Sequence, residues 1–172
     1  MARALFRRQH GDPQPQEPCT VLLAGLGKPF SSTALKRAAE LAGQAEAALA
    51  TPIAVLTIAK VHGSSFGAQH PGLLPNKKER DAQVKLVDDA INGLRRLGVH
   101  ADGQVAVTRK FLRTILGVAR AREARFVVMD DPGGSALRRW VEGDPARYIR
   151  RRLPDGTVSE MVGGPDGAGP LT

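Results

Sequence analysis

At 172 residues, 42% of them apolar, the chain has the length of one domain and enough apolar mass for an ordinary core. No apolar run reaches the roughly 18 residues that a membrane-spanning helix needs, and a single cysteine excludes an internal disulfide and a cysteine-rich metal centre. The net charge of +8, carried by 18 Arg and 7 Lys, invites an anionic partner, yet these residues are spread along the chain as an Arg-rich composition alone would leave them.

Residues 1–18 carry Pro13, Pro15 and Pro18 among polar neighbours and read as a tail, as do the Gly- and Pro-rich residues 163–172; the folded unit is expected over 19–162. The apolar start is too short for a secretory signal and no small-residue cleavage pattern follows, so a cytoplasmic location is expected. Thr20-Val21-Leu22-Leu23-Ala24 is a short apolar run of the kind a strand buried on both faces shows. Ser31 or Ser32 can cap the next helix, with Leu35, Ala38, Ala39, Ala42, Ala45 and Leu49 on one face, and Pro52 ends it. Residues 53–59 form a second buried strand, followed by a Gly- and Pro-rich loop over about 60–76.

Val84, Val87, Ala90, Ile91, Leu94 and Leu97 make a second helical stripe, closed by Gly98. A third strand lies within 99–108, clearest at Val105 and Val107. Leu112, Ile115, Leu116 and Ala119 mark a third helix, and Phe126-Val127-Val128-Met129 a fourth strand. After a loop over 130–143, Asp144 as cap and Pro145 as first residue start a fourth helix that turns Ala146, Ile149 and Leu153 inward; Asp155-Gly156 turns into a weak last strand over 157–162. Strand–helix alternation of this kind predicts a three-layer, Rossmann-like, doubly wound parallel sheet, with ligands held beyond the carboxyl ends of its strands. The segments to watch are therefore 25–32 and 130–145.

Those segments and their neighbours resemble the universal stress protein (UspA) family. The first strand runs into Leu26-Gly27-Lys28-Pro29-Phe30-Ser31-Ser32-Thr33-Ala34-Leu35, at the spacing of the family's strand, Asp-Gly-Ser turn and Ser-capped, Ala-rich helix. Ile115-Leu116, Ala119, Ala124 and residues 126–129 match its third helix and fourth strand. Gly133, Ser135, Leu137, Arg139 and Gly143 match the signature loop, Gly-x-x-Gly and nine residues to Gly-Ser/Thr. The resemblance covers 19–162 and implies a five-stranded sheet in the order 3-2-1-4-5. It also implies a non-catalytic stress-response module, a homodimer paired through the last strand, and an adenine nucleotide such as ATP as ligand.

Carried over residue by residue, the nucleotide-binding positions are Ala24, Gly25, Leu26, Ile58, Met129, Asp130, Gly133, Gly143, Asp144 and Pro145. In the family, glycines let backbone amides approach phosphate, and the last pair sits at a helix N-terminus that favours an anion. Three positions depart from that pattern: Leu26 stands for an Asp, Asp130 for the first Gly of the loop, and Asp144 for a phosphate-binding Ser or Thr. A carboxylate about 5 Å from a phosphate charge costs about 3 kcal/mol at an effective dielectric of about 20, so a degenerate site with weak ATP binding is expected. Asp130, Asp131 and Asp144 read either as metal ligands or as caps and turn formers, and the second reading is preferred, with no metal expected.

Other features weigh less. His10, His62, His70 and His100 have no metal-ligand spacing, and Ser64, Ser65 and Ser135 no nucleophile elbow, so no catalytic residue is assigned. Gly25-x-Gly27 lacks the third glycine of a dinucleotide fingerprint, Trp140 reads as packing, and Cys19 as a plain edge residue. Arg138, Arg139, Arg147, Arg150, Arg151 and Arg152 form the densest basic cluster. A solvated face explains it, and the alternative is a basic accessory protein with weak, sequence-neutral nucleic-acid binding.

Overall fold

The structure, a computed structural model, describes residues 17–44, 52–60, 77–108, 110–130 and 145–162. Its elements are β1 (Val21–Gly25), α1 (Ser32–Gly43), β2 (Ile53–Lys60), α2 (Lys77–Arg96), β3 (Ala101–Thr108), α3 (Phe111–Ala121), β4 (Phe126–Asp130), α4 (Pro145–Arg150) and β5 (Val158–Val162). The strands pair in the order β3-β2-β1-β4-β5, all parallel. β1 is central, with Ala24 level with Leu56 on one side and Met129 on the other.

Period-two alternation sorts each central strand between two cores. Val21 and Leu23 of β1, Ile53 and Val55 of β2, and Val128 of β4 bury under α1 and α2, against Ala38, Leu41, Val87 and Leu94. Leu22 and Ala24, Leu56 and Ile58, Val127 and Met129 bury under α3 and α4, against Ile115, Leu116, Ala119 and Ile149. Helices thus cover both faces, and the strand order reverses between β1 and β4, the point at which an open α/β sheet places its crevice beyond the carboxyl ends of the strands.

Local chemistry fixes the ends of the elements. Ser31 is extended and its Oγ accepts the Ala34 N–H, the N-cap of α1. Gly98 follows α2 with φ +80°, a left-handed conformation that lets the chain leave the helix. Ala45 and Leu49, expected on the first helix, lie outside the described residues, and Ala146, expected to turn inward, is described in its backbone alone. One expectation is corrected. Leu97 lies beyond the end of α2 and is 44% exposed, because Gly98 turns the chain away. The third strand falls within the expected 99–108, over Ala101–Thr108, and is only partly buried, with Val107 40% exposed, because it is an edge of the sheet.

Candidate functional site

The crevice is built from the turn after β1 and the carboxyl ends of β2 and β4. Alternation splits the predicted residues between the two faces. Ala24, Ile58 and Met129, with the partly buried Leu26 packed on them, join one apolar cluster on the α3/α4 side. Leu26 is therefore part of a greasy wall where the family pattern has a carboxylate. Gly25 and Asp130 face the other way, toward α1. A Cβ on Gly25 would stand 2.8 Å from Cε1 of Phe30, so the absent side chain is what lets the Phe30 ring lie against the strand.

Asp130 is only 7% exposed, and its two oxygens are committed to the start of α1. Oδ2 accepts the Ser31 backbone N–H at 2.6 Å, and Oδ1 accepts the Ser31 hydroxyl at 2.8 Å. The hydroxyl gives its proton to Asp130 and takes the Ala34 N–H on a lone pair, so both its functions are used. A helix N-terminus attracts anions, and here the protein supplies one from β4. The expectation that Asp130 confronts a phosphate is thereby modified: its charge is held by α1, on the face away from Leu26 and Met129.

The turn between β1 and α1 is pinned from a third side. Gln83 of α2 donates from Nε2 to the Gly27 carbonyl at 3.3 Å and accepts the buried Thr57 hydroxyl at 3.2 Å. Gly27 has φ +68°, and a Cβ there would stand 3.1 Å from the Ile58 carbonyl, so the turn passes directly over the end of β2. Sequence reading missed Phe30, Thr57 and Gln83. The one available signal was a polar Thr inside an otherwise apolar run.

Pro145 opens α4, where a missing N–H costs nothing. Gly133, Gly143 and Asp144, together with Asp131, Ser135, Arg138, Arg139, Trp140 and Glu142, lie outside the described residues, as do His10, His62, His70, Ser64 and Ser65. His100 is exposed, and the described residues contain no group of His, Cys, Asp or Glu arranged to hold a metal ion. No described helix is long and apolar enough to cross a membrane.

At the opposite end of the sheet, Cys19 is 2% exposed. Burial pushes its thiol above the ordinary value, against the neighbouring Arg122 guanidinium. Arg122 forms a two-pronged pair with Asp102 at 2.8 and 2.9 Å. Burial works against the Arg122 charge, and the Asp102 carboxylate outweighs it, so the guanidinium is held above its ordinary range.

Solved structures share this architecture. A universal stress protein family member from Burkholderia pseudomallei is 22% identical, with a TM-score of 0.53 over 83% of this chain and 95% of that one. UspA from Lactobacillus plantarum is 16% identical, with a TM-score of 0.55 over 86% and 99%. The universal stress protein from Archaeoglobus fulgidus in complex with dAMP is 16% identical, with a TM-score of 0.52 over 85% and 98%.

The fold is that of the universal stress proteins. Another universal stress protein of this fold was solved in complex with cAMP; it is 15% identical, with a TM-score of 0.51. No family model matches the sequence, and no curated protein matches it. The shared fold and strand order bear out the fold that the resemblance implied.

Proposed function

We propose that this protein is a universal-stress-type, cytoplasmic regulatory module that binds an adenine nucleoside or monophosphate weakly and carries out no catalysis. The observation that carries the reading is an apolar Leu26, partly buried over the core residues Ala24, Ile58 and Met129, at the point where strand order reverses, in a fold whose solved relatives hold cAMP and dAMP. Such a surface suits a purine ring. It offers no carboxylate at Leu26 for a sugar hydroxyl, and by sequence Asp144 puts a carboxylate where the resemblance has a phosphate-binding Ser or Thr. Gly133, Gly143 and Pro145 complete the proposed site by resemblance. Ser31 resembles an activated nucleophile beside Asp130, but its oxygen is occupied as the cap of α1, which supports a structural role.

The proposal includes a homodimer paired through β5, an edge strand whose Val158 is 47% exposed. Titration calorimetry of the full chain with adenosine, AMP and ATP tests the ligand. AMP is expected to bind at least about tenfold more tightly than ATP, and Asp144→Ser to narrow that gap by removing a charge. ATP binding as tight as AMP in the unmodified chain refutes the degenerate site.

A further inference from the structure

The end of the fold opposite the crevice carries a second feature that nucleotide binding does not use. The last turn of α3, the residue before β4 and the end of α4 bring Arg120, Arg125, Arg150, Arg151 and Arg152 to this end of the fold, with the Arg125 guanidinium 5.5 Å from the Phe126 ring, on the α1/α2 side. Two hydrogen bonds join these segments: Arg120 donates from Nη2 to the Arg152 carbonyl, and the Arg125 carbonyl accepts the Val158 N–H after the α4 turn. All five are exposed, and among the described residues none is ion-paired. Of the partnered cations, Arg37 lies on Glu40 and Glu160 away from this end, and Arg122, at this end, is taken up by Asp102. Among the described residues, Glu17, Glu123 and Asp155 add exposed negative charge at this end, and the half-exposed Asp102 is paired with Arg122.

Helix C-termini favour cations, and that accounts for Arg120 and Arg150. It does not account for Arg125, Arg151 and Arg152, which lie outside the helices. We infer that this edge binds the phosphate backbone of duplex nucleic acid without reading its sequence. Guanidinium groups match phosphate oxygens in pairs. A membrane surface would call for apolar side chains among the cations, and the one large apolar neighbour exposed here is Val158. Single strands call for free aromatic faces, but Arg152 stands 3.9 Å above the Tyr148 ring and covers it.

The test is fluorescence anisotropy of a labelled duplex of about 20 base pairs with the full chain, at about 50 and 150 mM salt. Binding is expected to fall steeply with salt, with a log–log slope of about −2 to −4, and to be indifferent to sequence. The triple variant Arg125→Gln, Arg150→Gln, Arg151→Gln leaves the Arg120–Arg152 contact intact and is expected to weaken binding at least about tenfold. Replacing the same three residues by Lys keeps the charge and is expected to stay within about threefold of the unmodified chain. The control Lys36→Gln, Lys78→Gln, Lys85→Gln removes equal charge from the α1/α2 face and is expected to change binding less than about threefold. Equal losses in both Gln triples, no duplex binding at low salt, or capture by phosphatidylserine vesicles without duplex binding would each overturn the inference. AMP affinity is expected to be the same in all three variants, so failure here is distinguishable from failure of the crevice reading.

Discussion

The bond between Asp130 and Ser31 is the feature of the crevice most open to measurement. Replacing Asp130 by Ala removes both acceptors of Ser31 and the negative charge at the start of α1. A hydrogen bond to a charged group contributes about 1.5–3 kcal/mol, and a charge at a helix terminus about 0.3–1 kcal/mol more. The contact is partly buried, so water can re-solvate part of what is lost, and the expected cost of Asp130→Ala is about 2–4 kcal/mol. Asp130→Asn is expected to cost less. Its oxygen can still accept the Ser31 N–H while its amide donates to the Ser31 hydroxyl oxygen, so both contacts survive without the charge, at a loss of about 1–2 kcal/mol.

Urea unfolding of the full chain measures these differences. Ser31→Ala removes the cap and one of the same bonds, at about 0.5–2 kcal/mol. Because the two residues share a bond, the double variant Asp130→Ala, Ser31→Ala is expected to fall short of additivity by at least about 0.5 kcal/mol. Additive losses, or a cost below about 0.5 kcal/mol for Asp130→Ala, would show that the carboxylate is not held by α1.

Gly25→Ala places a methyl 2.8 Å from the Phe30 ring and is expected to destabilise by about 1–3 kcal/mol, with most of the loss relieved in a Phe30→Ala background, as thermal melts of the four proteins will show. Asp102→Ala strands the Arg122 guanidinium, which is 6% exposed, and is expected to cost about 2–4 kcal/mol; Arg122→Met, Asp102→Ala together is expected to cost less than Asp102→Ala alone in the same urea assay. Arg37 holds the Glu160 carboxyl below its ordinary value of 4.5. A depressed carboxyl stabilises the fold above the unfolded value and loses that contribution as pH falls through the folded one. The stability gap between the unmodified chain and Glu160→Gln is therefore expected to be constant above about pH 5 and to close in more acidic solution, and a gap that widens toward acid would contradict the pairing.

The elements were legible where local pattern and tertiary context agree. Apolar runs at 21–24, 53–59 and 126–129 announced strands covered on both faces, and Ser31 announced the cap of α1. β3 was less legible because an edge strand need not be apolar on both sides, and the polar start Ala101-Asp102-Gly103-Gln104 was the sign that went unread. Its order beside β2 came from resemblance, since no property of a strand's own sequence names its neighbours. The site was legible as a set of positions but not as a surface. Residues adjacent in sequence, such as Met129 and Asp130, face opposite layers, and the partner of Asp130 lies 99 residues away. The same holds for Arg122 and Asp102, since ion pairs across elements leave no spacing to read.

The chain therefore handles acid near an anion site in a way that composition alone would misjudge. By sequence, Asp130 adds a repulsive charge where a glycine would let phosphate approach. In the structure, that charge meets two donors and a helix terminus and is spent on fixing where α1 begins. Two consequences follow for the crevice. Asp130→Gly would trade a small electrostatic gain at a phosphate for the loss of the α1 anchor, so it is the wrong substitution with which to restore a nucleotide site. The residue that alters the chemistry of the wall is Leu26, whose side chain packs with Ala24, Ile58 and Met129. With Asp130 tied to α1 and Leu26 apolar, the proposed site is expected to discriminate by shape and desolvation of a flat ring rather than by charge, which is why the ligand proposed for it is a nucleoside or monophosphate and not a triphosphate.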